Sequence, residues 1–121
     1  MALRRVDVGP VAAFADGEVR RVEVEGRGLA IVRQGDAWYA LRDVCPHQGA
    51  RLSDGRVGGT ALARQPGDEI VLGRAGEILS CPWHGWEYDV RTGRSLCEPE
   101  KVRVRTYLVC VEDGRVVMEL G

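Results

Sequence analysis

The chain has 121 residues, about one domain, with ordinary shares of hydrophobic (45%) and charged (29%) side chains. Its formal net charge is −1, from 17 basic against 18 acidic residues, so the balance favours neither nucleic acid nor an anionic membrane as partner. No stretch approaches the roughly 20 apolar residues that span a bilayer, and the opening MALRRVDVGPVAAFADGEV has no apolar signal region, so a cytoplasmic protein is expected.

One helical turn is predicted near 10–15, after Pro10. Short β-branched or aromatic runs follow at 18–24 (EVRRVEV), 28–33 (GLAIVR) and 37–42 (AWYALR), set between the turn dipeptides Asp16-Gly17, Gly35-Asp36 and Asp54-Gly55. Residues 57–77 read as an added hairpin turning at Pro66-Gly67-Asp68, with 69–72 (EIVL) as its returning strand. It is either a partner surface or a neutral elaboration. The run 102–111 alternates, with Val102, Val104, Leu108 and Cys110 on one face and Arg103 and Arg105 on the other, solvated one. Cys110 is therefore expected as a small buried hydrophobe. Val116, Met118 and Leu120 repeat the alternation beyond Asp113-Gly114, which predicts a closing hairpin. No long segment has helical periodicity. The expectation is one all-β domain over 1–121, a sandwich or small barrel.

The chemistry lies in two segments outside the best-patterned strands, and both read as loops. The chain's two histidines are His47, in CPHQGARL, and His84, in CPWHGWEYD; each follows a cysteine, Cys45 or Cys81. Thiolate and imidazole both bind Zn, Fe and Cu, and each pair is close enough for one loop to offer both ligands to a shared site. Each loop also has a proline and a glycine, Pro46 with Gly49 and Pro82 with Gly85. Proline stiffens the loop, and glycine lets backbone N–H groups approach anionic sulfur. A structural zinc site usually pairs cysteine with cysteine and histidine with histidine, whereas each loop here carries one of each. Zinc in the same four ligands remains a competing reading. Cys97 and Cys110 are the other two cysteines; Cys97 is expected in a partly exposed loop, and neither is expected as a ligand.

The paired C-x-H and C-x-x-H motifs, with their glycines and prolines, resemble the Rieske iron–sulfur domain in its small soluble ferredoxin form. The likeness continues through 86–96 (WEYDVRTGRSL) and 103–117, and covers most of the chain. It implies a Rieske-like all-β fold of three small antiparallel sheets, with a cluster-binding subdomain at roughly 44–90 inserted into a basal β domain. It also implies one [2Fe–2S] cluster per chain, held by Cys45 and Cys81 on the buried iron and by His47 and His84 on the iron nearest solvent. Pro46, Gly49, Pro82, Trp83, Gly85, Trp86 and Tyr88 would form the cluster environment. The two tryptophans would shield the cluster, form a docking face or simply pack in their loop. Gln48 and Arg51 would contact a redox partner or be solvated.

High-potential members carry an extra cysteine in each loop, at the positions of Ala50 and Trp83, and a serine donor at the position of Trp86. Neither feature is present here, although Tyr88 matches a tyrosine that in those members donates to a cysteine sulfur. Fewer donors to sulfur argue for a lower potential, in the lower half of about −150 to +300 mV. With neutral imidazoles the site sums to about zero charge and falls to about −1 on reduction. The added charge raises the imidazole pKa values, so the midpoint is expected to fall at alkaline pH.

With four protein ligands no coordination position is left for substrate, and no catalytic residues are expected. The resemblance implies a one-electron carrier between a flavin-dependent reductase and a terminal oxygenase. The alternatives are the small Rieske subunit of a larger oxidoreductase such as a nitrite reductase, or a zinc-bound interaction module.

Overall fold

A computed structural model describes residues 4–45, 50–62, 71–81, 87–96 and 102–120. It is nearly all strand: β1 (Arg4–Pro10), β2 (Val19–Val24), β3 (Arg27–Gln34), β4 (Ala37–Arg42), β5 (Arg56–Leu62), β6 (Val71–Ser80), β7 (Glu87–Asp89), β8 (Thr106–Tyr107), β9 (Val109–Glu112) and β10 (Arg115–Leu120). The expected helical turn after Pro10 is the 3₁₀ turn Val11–Ala13, and a second 3₁₀ turn spans Leu52–Asp54. Three small antiparallel sheets result, ordered β1-β10-β9, β2-β3-β4-β8 and β5-β6-β7.

Two hairpins close through two-residue turns with both central φ angles positive, as type I′ geometry requires. Asp113-Gly114 (φ 50° and 74°) joins β9 to β10, and Glu25-Gly26 (φ 51° and 79°) joins β2 to β3. Sequence reading finds the first. The second escapes it because glutamate is an unusual residue for the left-handed region.

The middle sheet explains the packing. Leu29, Ala30, Ile31 and Val32 of β3 are all fully buried, so this strand has no solvent face and its apolar residues run without interruption. Leu29 and Ile31, with Ala40 of β4, meet Val116, Met118, Leu120 and Phe14 in one core. Val32 and Leu41 point the other way, into a core containing Leu52, Leu79, Tyr88, Val90, Val104, Cys45 and Cys81. Both cysteines thus lie in the second core, between the middle sheet and the β5-β6-β7 sheet.

Three expectations need correction. The run 102–111 is not one strand. Thr106-Tyr107 pairs with β4, whereas Val109–Glu112 pairs with β10 in a different sheet. Crossing between sheets at Leu108 reverses the alternation, so Leu108 is 71% exposed and Cys110 is exposed rather than buried. The returning strand of the 57–77 hairpin runs past the expected end at 72 as far as Ser80, pairing with β5 from Arg56 onward; residues 63–70, with the expected start at 69 and the tip at 66–68, lie outside the described residues. Strand β1 carries too much charge to be read as a strand from sequence, yet Val6 and Val8 pack on the first core. A register shift between Asp7 and Gly9 lets it follow β10.

Candidate metal centre

The first loop begins where β4 ends. Arg42 N–H donates to Arg105 carbonyl at 2.9 Å, and Asp43 N–H donates to Gly28 carbonyl at 3.0 Å. Cys45 follows, and its N–H donates to Ala50 carbonyl at 2.8 Å, closing the loop over 46–49. The second loop is closed by strand pairing. Ser80 at the end of β6 lies opposite Glu87 at the start of β7, with Cys81 immediately after Ser80. Each cysteine therefore sits at the base of a backbone-closed loop, and both bases face the same core.

Cys45 is fully buried and Cys81 is 3% exposed. Neither forms a disulfide. Tyr88, also fully buried, places its hydroxyl 3.1 Å from Cys45 Sγ. The tyrosine is held between Leu79 of β6 and a bridge to Ser95. A thiolate sulfur has no proton to give, so towards a metal-bound Cys45 the phenol is the donor. Two buried cysteines with a donor aimed at one sulfur fit a cationic iron–sulfur core, which would hold them as thiolates where burial alone would favour the neutral thiol.

The two loops are joined through the backbone. Gly55, just after the 3₁₀ turn Leu52–Asp54, lies so close to Ser80 that a Cβ on it would be 1.7 Å from the Ser80 carbonyl oxygen. A second close approach comes at Gly93, where φ is +76° and a Cβ would lie 2.0 Å from the Val104 carbonyl oxygen. Here Val104 N–H donates to Gly93 carbonyl at 2.7 Å. That contact seats the 102–105 segment against the β7 return.

Asp43 is the feature sequence reading missed. Its buried carboxylate accepts from Ser53 N–H at 2.7 Å, Ser53 Oγ at 2.5 Å and Arg21 Nη1 at 2.8 Å. The hydrogen bond to Asp43, followed by that to Glu23, pushes the Arg21 pKa above its ordinary value. An aspartate two places before a cysteine was the available signal, but on its own it reads as a loop residue. His47, His84, Pro46, Gln48, Gly49, Pro82, Trp83, Gly85, Trp86 and Cys97 lie outside the described residues. Of the expected site, Cys45, Cys81 and Tyr88 are brought together. Arg51, Arg103 and Arg105 are exposed, and the Arg105 guanidinium lies over the Tyr107 ring at 5.0 Å.

A family profile for the Rieske [2Fe-2S] domain matches residues 4–108. The chain belongs to the Rieske domain family. The ferredoxin component of the naphthalene 1,2-dioxygenase system of Pseudomonas putida is 30% identical over 121 residues, all of both chains. The ferredoxin in a solved complex of reduced oxygenase and oxidised ferredoxin of carbazole 1,9a-dioxygenase is 30% identical. That match has a TM-score of 0.72 and covers 94% of this chain and 91% of that one. A Mycobacterium tuberculosis protein described as the small subunit of an NADH-dependent nitrite reductase superposes with a TM-score of 0.79 over 100% of this chain and 98% of that one. At 23% identity it shares the fold alone. The three-sheet architecture is thus that of a Rieske domain, and such a domain carries a single [2Fe–2S] cluster. Its ferredoxin relatives are electron-carrying components of dioxygenase systems, not the catalytic ones.

Proposed function

We propose that this Rieske domain is a cytoplasmic one-electron ferredoxin. Cys45 and Cys81 hold the inner iron, His47 and His84 hold the outer iron, and residues 44–90 act as the cluster-binding unit within a single domain, 1–121. It takes electrons from a flavin-dependent reductase and delivers them to a terminal oxygenase. The observation that carries this reading is the convergence of two buried cysteines in one core with the Tyr88 hydroxyl 3.1 Å from Cys45 Sγ. Full-length likeness to a dioxygenase ferredoxin component supports the choice of partners. Among the described residues no helix is long and apolar enough to cross a membrane.

When bound, the cluster supplies a reversible one-electron site. The chain does the rest. Its two thiolates supply negative charge inside the core, where water does not screen it. Tyr88 offsets part of that charge by donating to sulfur. In this reading His47 and His84, each following its cysteine in sequence, hold the outer iron and give electrons their route to a docked partner.

Redox titration followed by EPR tests the assignment. The reduced protein is expected to give a Rieske-type spectrum, and His47→Cys and His84→Cys are each expected to lower the midpoint or lose the cluster. A colourless protein with one zinc, or an unchanged spectrum in either variant, would overturn it.

A further inference from the structure

Of the two buried carboxylates among the described residues, Asp43 and Asp89, Asp43 is the more deeply buried and lies two places before Cys45. The Asp43 side chain is wholly excluded from solvent, while its partner Arg21 keeps 26% exposure. Three separate elements converge on this aspartate: Arg21 from β2, Ser53 from the 3₁₀ turn Leu52–Asp54, and the Gly28 carbonyl of β3, which takes the Asp43 N–H. Arg21 reaches Asp43 by crossing β3 at Gly28, where a Cβ would lie 2.4 Å from the guanidinium nitrogens. Glu23 Oε1 also touches Arg21, at 3.1 Å, but from the exposed side. Chain length alone keeps the Cα atoms of Asp43 and Cys45 within about 7 Å of each other.

We propose that Asp43 and Arg21 form a balanced charge pair beside the first cysteine, whose two members shift in opposite directions how readily the cluster accepts an electron. This rests on the reading of Cys45 as a ligand. Reduction adds one negative charge beside the pair. A carboxylate excluded from water opposes that charge and a guanidinium favours it, and neither is screened as at an open surface. Together they nearly cancel. Either one alone leaves an uncompensated charge.

The test is spectroelectrochemical titration of the cluster-loaded protein and four variants, with EPR and visible spectra reporting cluster content. Asp43→Asn is expected to raise the midpoint and Arg21→Gln to lower it. Each change is a factor of about 3–10 in the reduction equilibrium, or about 30–60 mV at 59 mV per tenfold for one electron. The double variant is expected to return to within a factor of about 2 of the parent. Arg21→Lys keeps the charge and is expected to stay near the parent value. Shifts of the same sign in both single variants, or none, with the cluster retained, would overturn the proposal; a brace without an electrostatic role predicts that result. Should Asp43→Asn not fold, the sign of the Arg21→Gln shift decides alone. Parent protein with no Rieske-type EPR would instead overturn the ligand assignment beneath it.

Discussion

At the residue scale, the decisive contrast is between cysteines that share a side chain and little else. Cys45 and Cys81 lie buried in one core, whereas Cys110 is exposed near Arg5 and Glu112, with Sγ contacts of 3.9 and 4.0 Å. Environment, not residue type, separates the buried pair from the exposed thiol. Tyr88 belongs with the buried pair. Hydrogen bonds to charged groups contribute about 1.5–3 kcal/mol, of which only the difference between oxidation states moves a potential. Tyr88→Phe is therefore expected to lower the midpoint by about 30–60 mV while the cluster stays bound. An unchanged midpoint would show that the 3.1 Å contact carries no charge. The paired Cys/His motifs, the proposed ligands, stand out in the sequence because thiol and imidazole chemistry is written in residue identity and spacing. The Asp43–Ser53–Arg21 group does not. Its members are 32 positions apart from Arg21 to Ser53, and only the fold makes them neighbours.

At the scale of elements, strands whose two faces differ were readable and those joined by long-range pairing were not. Strands β2, β4 and β10 carry their own apolar pattern, and β3 is read from its unbroken apolar run instead. Strand β1 depends on β10 for its register, and the three-residue β7 depends on β6. The 102–111 run shows the converse error: a clean alternation that crosses two sheets loses its phase at the crossing. The element-scale prediction concerns two glycines. Gly55→Ala forces a methyl into the Ser80 carbonyl and is expected to lose ~2–4 kcal/mol and reduce bound iron. Gly26→Ala has open space around its Cβ and suffers only its left-handed φ of +79°, so it is expected to lose ~1–2 kcal/mol with iron content intact. Urea midpoints and iron assays on both variants check this; equal losses would show that backbone closeness at Gly55 is unimportant.

For the whole molecule, the middle sheet serves two cores, one against the β1-β10-β9 sheet and one against the cysteines. Ion pairs reinforce the far side: Arg115 pairs with Asp7 across β10 and β1, and Arg4 with Glu25 at the β2–β3 turn. These arginines hold both carboxyls below their ordinary values, 3.8 for Asp7 and 4.5 for Glu25, through hydrogen bonds first. A carboxyl with a lowered folded pKa stabilises the fold fully above its unfolded value and loses that contribution as pH falls through the folded one. Urea midpoints are therefore expected to fall on acidification below those ordinary values. Asp7→Asn with Glu25→Gln is expected to make the fall shallower, by a small amount because both pairs are exposed. An acid slope unchanged in the double variant would assign the loss to other groups. The three-sheet plan was legible through family likeness more than through strand patterning, since pairing order is a property of the assembled chain. Main-chain contact at Gly55 and Ser80 has a wider consequence. The interval between the two sulfur-bearing corners is gauged by peptide against peptide, not by any particular side chain. Substitutions in the residues around that contact then leave the interval in place, so long as position 55 carries no side chain.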